Sequence, residues 1–172
     1  MSFAGPDSAD RHEMASWQPV LGLGRDHGTD HWAGFLADEL WTGDRQQAKR
    51  RVEAATPTGL LPLLERPRAM VEADIAEWER AGSRPPGFLT RRLPLESLIL
   101  HVLTSTQDYW AGLALAWAAE VPPTPRVIEA LGDLEKAPWA SQAVRHGGRR
   151  VRRMLTAPDA ARGPGPARPL DD

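Results

Sequence analysis

DHWAGFLADELWTG, residues 30–43, is the stretch on which the fold class turns. Its apolar residues Trp32, Phe35, Leu36 and Leu40 fall at i, i+3, i+4 and i+8, the spacing of one helical face. Thr29 or Asp30 offers a side-chain oxygen for an N-terminal cap, and Gly43 can end the last turn in a left-handed conformation. The spacing therefore predicts a helix. Asp44 followed by Gln47 has the form of a capping box, which predicts a second, short helix through AKRRVEAA, residues 48–55.

Downstream, Pro57 and Pro67 bracket an apolar run, Leu60, Leu61, Leu63 and Leu64, with Pro62 limiting it to a short or kinked helix. Val71, Ile75 and Trp78 predict an amphipathic helix from Arg68 to Gly82, whose Glu72, Asp74, Glu77 and Glu79 read as its solvated side. SRPPGFLT, residues 83–90, is a loop. Leu95, Leu98, Ile99, Val102 and Leu103 then give the strongest helical pattern in the chain. Ser105 and Asp108 suggest a capping box before a helix with Trp110, Leu113, Ala114 and Trp117 on one face and Leu115 on another. Thr124 and Pro125 cap a helix through Leu134, and a last helix opens near Pro138 with Val144, Gly147, Val151 and Leu155 inward.

Composition points the same way. Leu and Ala dominate the apolar residues, while there are only three isoleucines, eight valines and one tyrosine. The reading is an all-α chain of about eight short helices in antiparallel hairpins. Residues 1–28 are expected to be a partly irregular arm, residues 29–156 one helical domain, and residues 157–172, rich in Pro and Gly, a disordered tail.

A five-residue echo supports a repeat. DHWAG at 30–34 and DYWAG at 108–112 share the pattern D-x-W-A-G, 78 residues apart, twice a length typical of two-helix units. With the two helix pairs between residues 94 and 155, the chain resembles HEAT-type α-solenoid repeats, which implies helix pairs stacked on one another; the alternative architecture is an irregular helical bundle.

Several chemistries are excluded by composition. With no cysteine among 172 residues there is no disulfide, thiolate metal site or cysteine nucleophile. No phosphate-binding glycine pattern follows a predicted strand; GLGRDHG, residues 22–28, has only part of the spacing. The segment 94–120 has a helix-turn-helix outline, but its second helix carries Trp110 and Trp117 where a base-reading helix exposes polar groups. The most apolar stretch, 93–121, is broken by charged and polar residues, so no membrane span or membrane partner is expected, and the expected location is the cytoplasm.

Two groups of residues remain as candidate sites. His27 and His31 lie four apart beside Asp26, a metal-ligand spacing on a continuous helix, although Gly28 and Thr29 intervene; a polar helix entry is the simpler reading. His101, in apolar company, reads as a core-edge histidine rather than a general base. Arg145, Arg149, Arg150, Arg152 and Arg153 fall within nine residues, in a C-terminal segment of net charge +4 that follows residues 1–136 of net charge −6. They are candidate contacts to phosphate or to an acidic partner; the simpler reading is that Arg is the default polar residue of this composition and that these cations pair with acidic neighbours. Of seven tryptophans, Trp32, Trp78, Trp110, Trp117 and Trp139 fit helix faces and are expected in the core, while Trp17 and Trp41 are candidate contact residues. The leading expectation is a non-enzymatic helical protein, without a cofactor, that binds another macromolecule in an adaptor, regulatory or immunity-type role. The expected partner is a protein. A nucleic-acid binder using the 145–153 arginines comes second, and a metal-dependent enzyme centred on residues 26–31 third.

Overall fold

A computed structural model describes residues 16–24 and 30–157. They form two compact units: residues 16–53 with 58–93, and residues 54–57 with 94–157. The first unit overturns the all-α reading. It holds four strands, β1 (Gln18–Gly22), β2 (Trp32–Leu36), β3 (Glu39–Gly43) and β4 (Ala48–Arg51), in one antiparallel sheet of order β1-β2-β3-β4. With a 3-10 helix at Thr58–Glu65 and α1 (Arg68–Ala81), it is a mixed α/β unit.

Residues 30–43 are thus a hairpin, not a helix. Their apolar positions satisfy both periods. Phe35 pairs with Leu40 and Ala33 with Thr42 on one face, while Trp32 and Leu36 point to the other. The choice is made at Ala37 and Asp38, both at positive φ (51° and 61°), as a tight two-residue hairpin turn requires. Ala-Asp lacks the Asn-Gly or Asp-Gly signature of such turns, so periodicity misled.

The predicted helix after Asp44 is also a strand. Asp44 does cap, but it caps a turn: its Oδ1 accepts the Gln46 and Gln47 N–H groups at 2.7 and 2.8 Å, and the chain turns back into β4. The D-x-W-A-G echo falls too. Its first copy enters β2 and its second opens a helix at Asp108, so no helical repeat joins them.

One sheet face builds the core of this unit. Leu21, Ala33 and Phe35 are buried with Leu60, Leu63 and Leu64 of the 3-10 helix and Val71 and Ile75 of α1. Gly59 approaches Thr42 closely enough that a Cβ there would lie 2.9 Å from its hydroxyl. Phe35, Trp78 and Phe88 form a ring cluster with centroids 6.0–6.3 Å apart. Glu79 is not on a solvated side. It is buried, and its carboxylate accepts the Gly87 and Leu89 N–H groups, both at 2.8 Å, holding the 83–90 loop against α1.

The second unit contains α2 (Leu95–Thr104), α3 (Asp108–Ala118), α4 (Pro125–Leu134) and α5 (Gln142–Thr156). Thr124 accepts the Val127 N–H at the start of α4, as its position predicts, and Ser141 accepts the Val144 N–H at the start of α5. Asp108 departs from its predicted capping role. Its carboxylate accepts the Ser141 N–H at 2.5 Å, tying the start of α3 to that of α5. Gly112 lies beside Val144 and Gly147 against Leu115, so the two helices run in the same direction from that tie. Leu98, Ile99, Val102, Trp117, Val127 and Leu131 are among the residues that close the core; Trp32, Trp78, Trp110 and Trp139, predicted there, are only partly buried.

The first unit also contains a buried charge. The Arg66 side chain, 4 % exposed, meets Asp74 at 2.5 Å and donates to the Gly22 carbonyl at 2.6 Å. Asp74 itself is 41 % exposed. Asp74→Ala therefore takes one carboxylate from a guanidinium that water cannot reach and is expected to cost about 3 kcal/mol. Arg66→Met leaves behind only a carboxylate that water can solvate, and is expected to cost less. Urea unfolding of the two variants checks the order.

Candidate functional site

The sheet face opposite the core carries the tryptophans. Cross-strand pairing sets two rows across it: Gly22, Trp32 and Gly43, and Pro19, Gly34, Trp41 and Arg51. Trp32 is therefore flanked by glycine on both neighbouring strands, and Trp41 by Gly34 on one and Arg51 on the other, so each indole has at least one side where it can lie low over the backbone. A Cβ at Gly22 would meet the Trp32 ring at 3.9 Å. Alternation places Trp17, two residues before Pro19, on the same face. The Trp17 indole N–H donates to the Asp44 carbonyl at 2.8 Å. The Arg45 guanidinium sits 4.7 Å from the centroid of the Trp32 ring. All three indoles are half-buried. Trp41 Nε1 is a buried donor with no acceptor among the described residues.

Trp17 and Trp41, singled out in the sequence as contact residues, thus share one surface. Trp32, assigned to the core, belongs with them. No local signal separates it: the W-x-G spacing of HWAG and LWTG recurs in DYWAG, which opens α3.

Two cations near this face have carboxylate partners, while Arg45 is spent on the Trp32 ring. Lys49 pairs with Asp44 at 3.0 Å and Arg51 with Glu39 at 2.8 Å. Residues 30–53 carry five Asp or Glu and four Lys or Arg, net −1. The Asp44 carboxyl is lowered from 3.8 to about 2 by its bond to Lys49 and by the Gln46 and Gln47 N–H groups.

The five arginines of α5 are engaged in different ways. Arg145 donates to the Ala137 and Ala140 carbonyls at 3.3 and 2.9 Å, closing the turn before the helix. Arg149 and Arg152 both reach Glu135, at 3.3 and 2.6 Å, and with Arg152 first they hold its carboxyl below the usual range. Arg150 borders an apolar groove between α3 and α5, and Arg153 is exposed.

The remaining candidates are scattered. Asp26 and His27 lie outside the described residues. His31 is exposed, with Nε2 3.3 Å from the Gly59 carbonyl oxygen. Among the described residues no group of three His, Asp or Glu side chains is placed to hold a metal ion. His101 lines a polar cleft of about 420 Å³ with Ser97, Arg126, Glu129 and Asp133. No described helix is long and apolar enough to cross a membrane.

Two tests address the tryptophan face. Trp17→Phe removes a made hydrogen bond and is expected to cost about 1 kcal/mol, whereas Trp41→Phe removes an orphaned donor and is expected to be near neutral or slightly stabilising; thermal unfolding measures both. The second concerns pH. Because the Asp44 carboxyl is depressed in the folded chain, its stabilisation of the β3–β4 turn is complete above the ordinary value of 3.8 and is lost as pH falls towards about 2. Acid unfolding of Asp44→Asn should lack this component.

Comparison with protein-family models, with curated proteins and with solved structures finds no match to this chain.

Proposed function

We propose that the chain is a non-enzymatic binding protein that recognises another protein through the tryptophan face of its sheet. The observation that carries this reading is the gathering of Trp17, Trp32 and Trp41, all half-buried, on the face opposite the core. Tryptophan anchors contribute more to protein interfaces than any other residue type apart from tyrosine and arginine. These three are presented by a hydrogen-bonded sheet, so little ordering entropy is lost when a partner meets them.

The charge balance favours a protein over a nucleic acid. A surface that follows a phosphate backbone needs unpaired cations in a row. Lys49 and Arg51 already have carboxylate partners, and the segment around them is net negative. The α5 arginines give less support to nucleic-acid binding than their number suggests, because Arg145, Arg149 and Arg152 are engaged within their own unit.

The test uses half-exposed residues of the face that carry no part of the core. Pro19→Lys and Leu36→Lys should leave the thermal midpoint within a few degrees, since surface changes cost about half a kcal/mol or less. The immobilised parent chain should retain specific proteins from a lysate of its own source, and both variants should lose the same proteins by about tenfold. Arg149→Gln, remote in sequence and on another element, should keep them. If both folded face variants retain what the parent retains, the reading fails. It fails equally if single-stranded RNA, titrated at low salt, binds the parent and not the variants.

A further inference from the structure

We infer that the groove between α3 and α5 takes an amphipathic helix of a partner protein, apolar on one side and acidic along its edge. This surface lies on the second unit, and the inference does not depend on the tryptophan face.

The groove follows from the parallel pairing of the two helices. It encloses about 420 Å³ over a floor of Leu115, Val144 and Val151. Its walls are small on both sides, with Gly112, Ala116 and Ala119 on α3 facing Ala143 and Gly147 on α5, so another backbone can approach closely. Met154 lines one end and is 46 % exposed. The 11 residues of α3 extend about 16 Å, three helical turns, enough to seat apolar side chains at i, i+4 and i+7 of a guest helix.

The walls decide the form of the guest. Helix backbones have their N–H and C=O groups satisfied internally, so the groove offers an extended strand nothing to pair with. A strand would bury its own polar backbone there at a cost. A helix brings its backbone already paired.

Charge decides the guest's character. α5 divides its arginines between two sides. Arg149 and Arg152 turn towards α4, where Glu135 neutralises them. Arg150 lines the groove, and Arg153 lies three residues further along the same helix. Among the described residues neither has an ion-pair partner. An apolar floor edged by the unpaired guanidinium of Arg150, with Arg153 next beyond it, is complementary to a helix with leucines on one face and glutamate along its edge. Nucleic acid fits less well, since the floor and walls present aliphatic side chains where bases need rings to stack on.

The probe is a synthetic amphipathic helix of about 16 residues, three to four heptad-spaced leucines with glutamate on both flanks, and a second peptide with lysine in place of every glutamate. Each is titrated into the full chain with methyl groups labelled for NMR. The glutamate peptide should bind saturably and shift the Leu115, Val144, Val151 and Met154 methyl signals, while the lysine peptide binds at least about tenfold more weakly. Arg150→Glu with Arg153→Glu should reverse that preference. Ala116→Trp fills the groove from an exposed position and should weaken the glutamate peptide by about tenfold, with the spectrum of the remaining core unchanged. The inference is overturned by an absence of saturable binding at millimolar peptide, by equal binding of the two peptides, by methyl shifts confined to other residues, or by undiminished binding to folded Ala116→Trp. It is also overturned if a single-stranded oligonucleotide shifts these methyls and displaces the peptide.

Discussion

The buried guanidinium of Arg66 constrains the whole sheet-bearing unit. A charge out of reach of water must be met by fixed partners, and two of them come from distant places in the chain: the Gly22 carbonyl at the end of β1 and the Asp74 carboxylate in the second turn of α1. Those two bonds fix where the 3-10 helix ends, how α1 leaves it, and where the last residue of β1 lies. Gly22 is also the residue over which the Trp32 indole lies. The same point of backbone is therefore anchored through its carbonyl and covered by an aromatic ring. The tryptophan face inherits its position from the packing of the other side.

The helical unit is organised by a different device. Two helices running in one direction bring their positive ends together, which repels unless something negative stands between them. Asp108 is that group, in the first turn of α3 and bonded to the N–H of Ser141 at the start of α5. At the other end of α4 the charges are reversed: Glu135 follows the helix C-terminus, where its charge is unfavourable, and Arg149 and Arg152 offset it. The basic segment seen in the sequence is thus partly a local neutralisation of one carboxylate. Arg150, at the groove, and Arg153, one turn further on, take no part in that neutralisation.

The five α-helices were legible because their apolar residues recur at helical spacing and their ends carry recognisable breakers, such as Gly82, Thr124 and Pro125. The sheet was not. Trp32, Phe35, Leu36 and Leu40 fit both a helix and a half-buried hairpin, and the deciding turn at Ala37 and Asp38 uses residues that seldom signal it. Asp44 misled for a physical reason as well, since a carboxylate that accepts the next N–H groups looks alike before a helix and in a turn. Two of the three tryptophans of that surface were visible, because Trp17 and Trp41 fitted no helix face. Trp32 was hidden by the helix wrongly assigned to it. That the arginines pair with acidic neighbours was one of the two readings the sequence allowed, and it holds for Arg149 and Arg152; which carboxylate they meet could not be read, since Glu135 lies 14 and 17 residues away.

The glycines of the sheet show why the tryptophan face is a fixed surface rather than a set of movable side chains. A Cβ at Gly34 would run into the Gln18 carbonyl and come within 2.8 Å of the Pro19 Cα, and one at Gly43 would come within 2.9 Å of the Ala48 Cα. Both contacts are backbone against backbone, so no rotamer change relieves them. The strands stand where they do because these positions lack side chains, and that spacing sets the distance between Trp32 and Trp41 on neighbouring strands. Cross-strand diagonal neighbours lie about 7–8 Å apart, a separation a partner meets already formed. Affinity gained on such a surface comes from contact area and not from ordering, and for that reason a face built on glycine can be small and still bind.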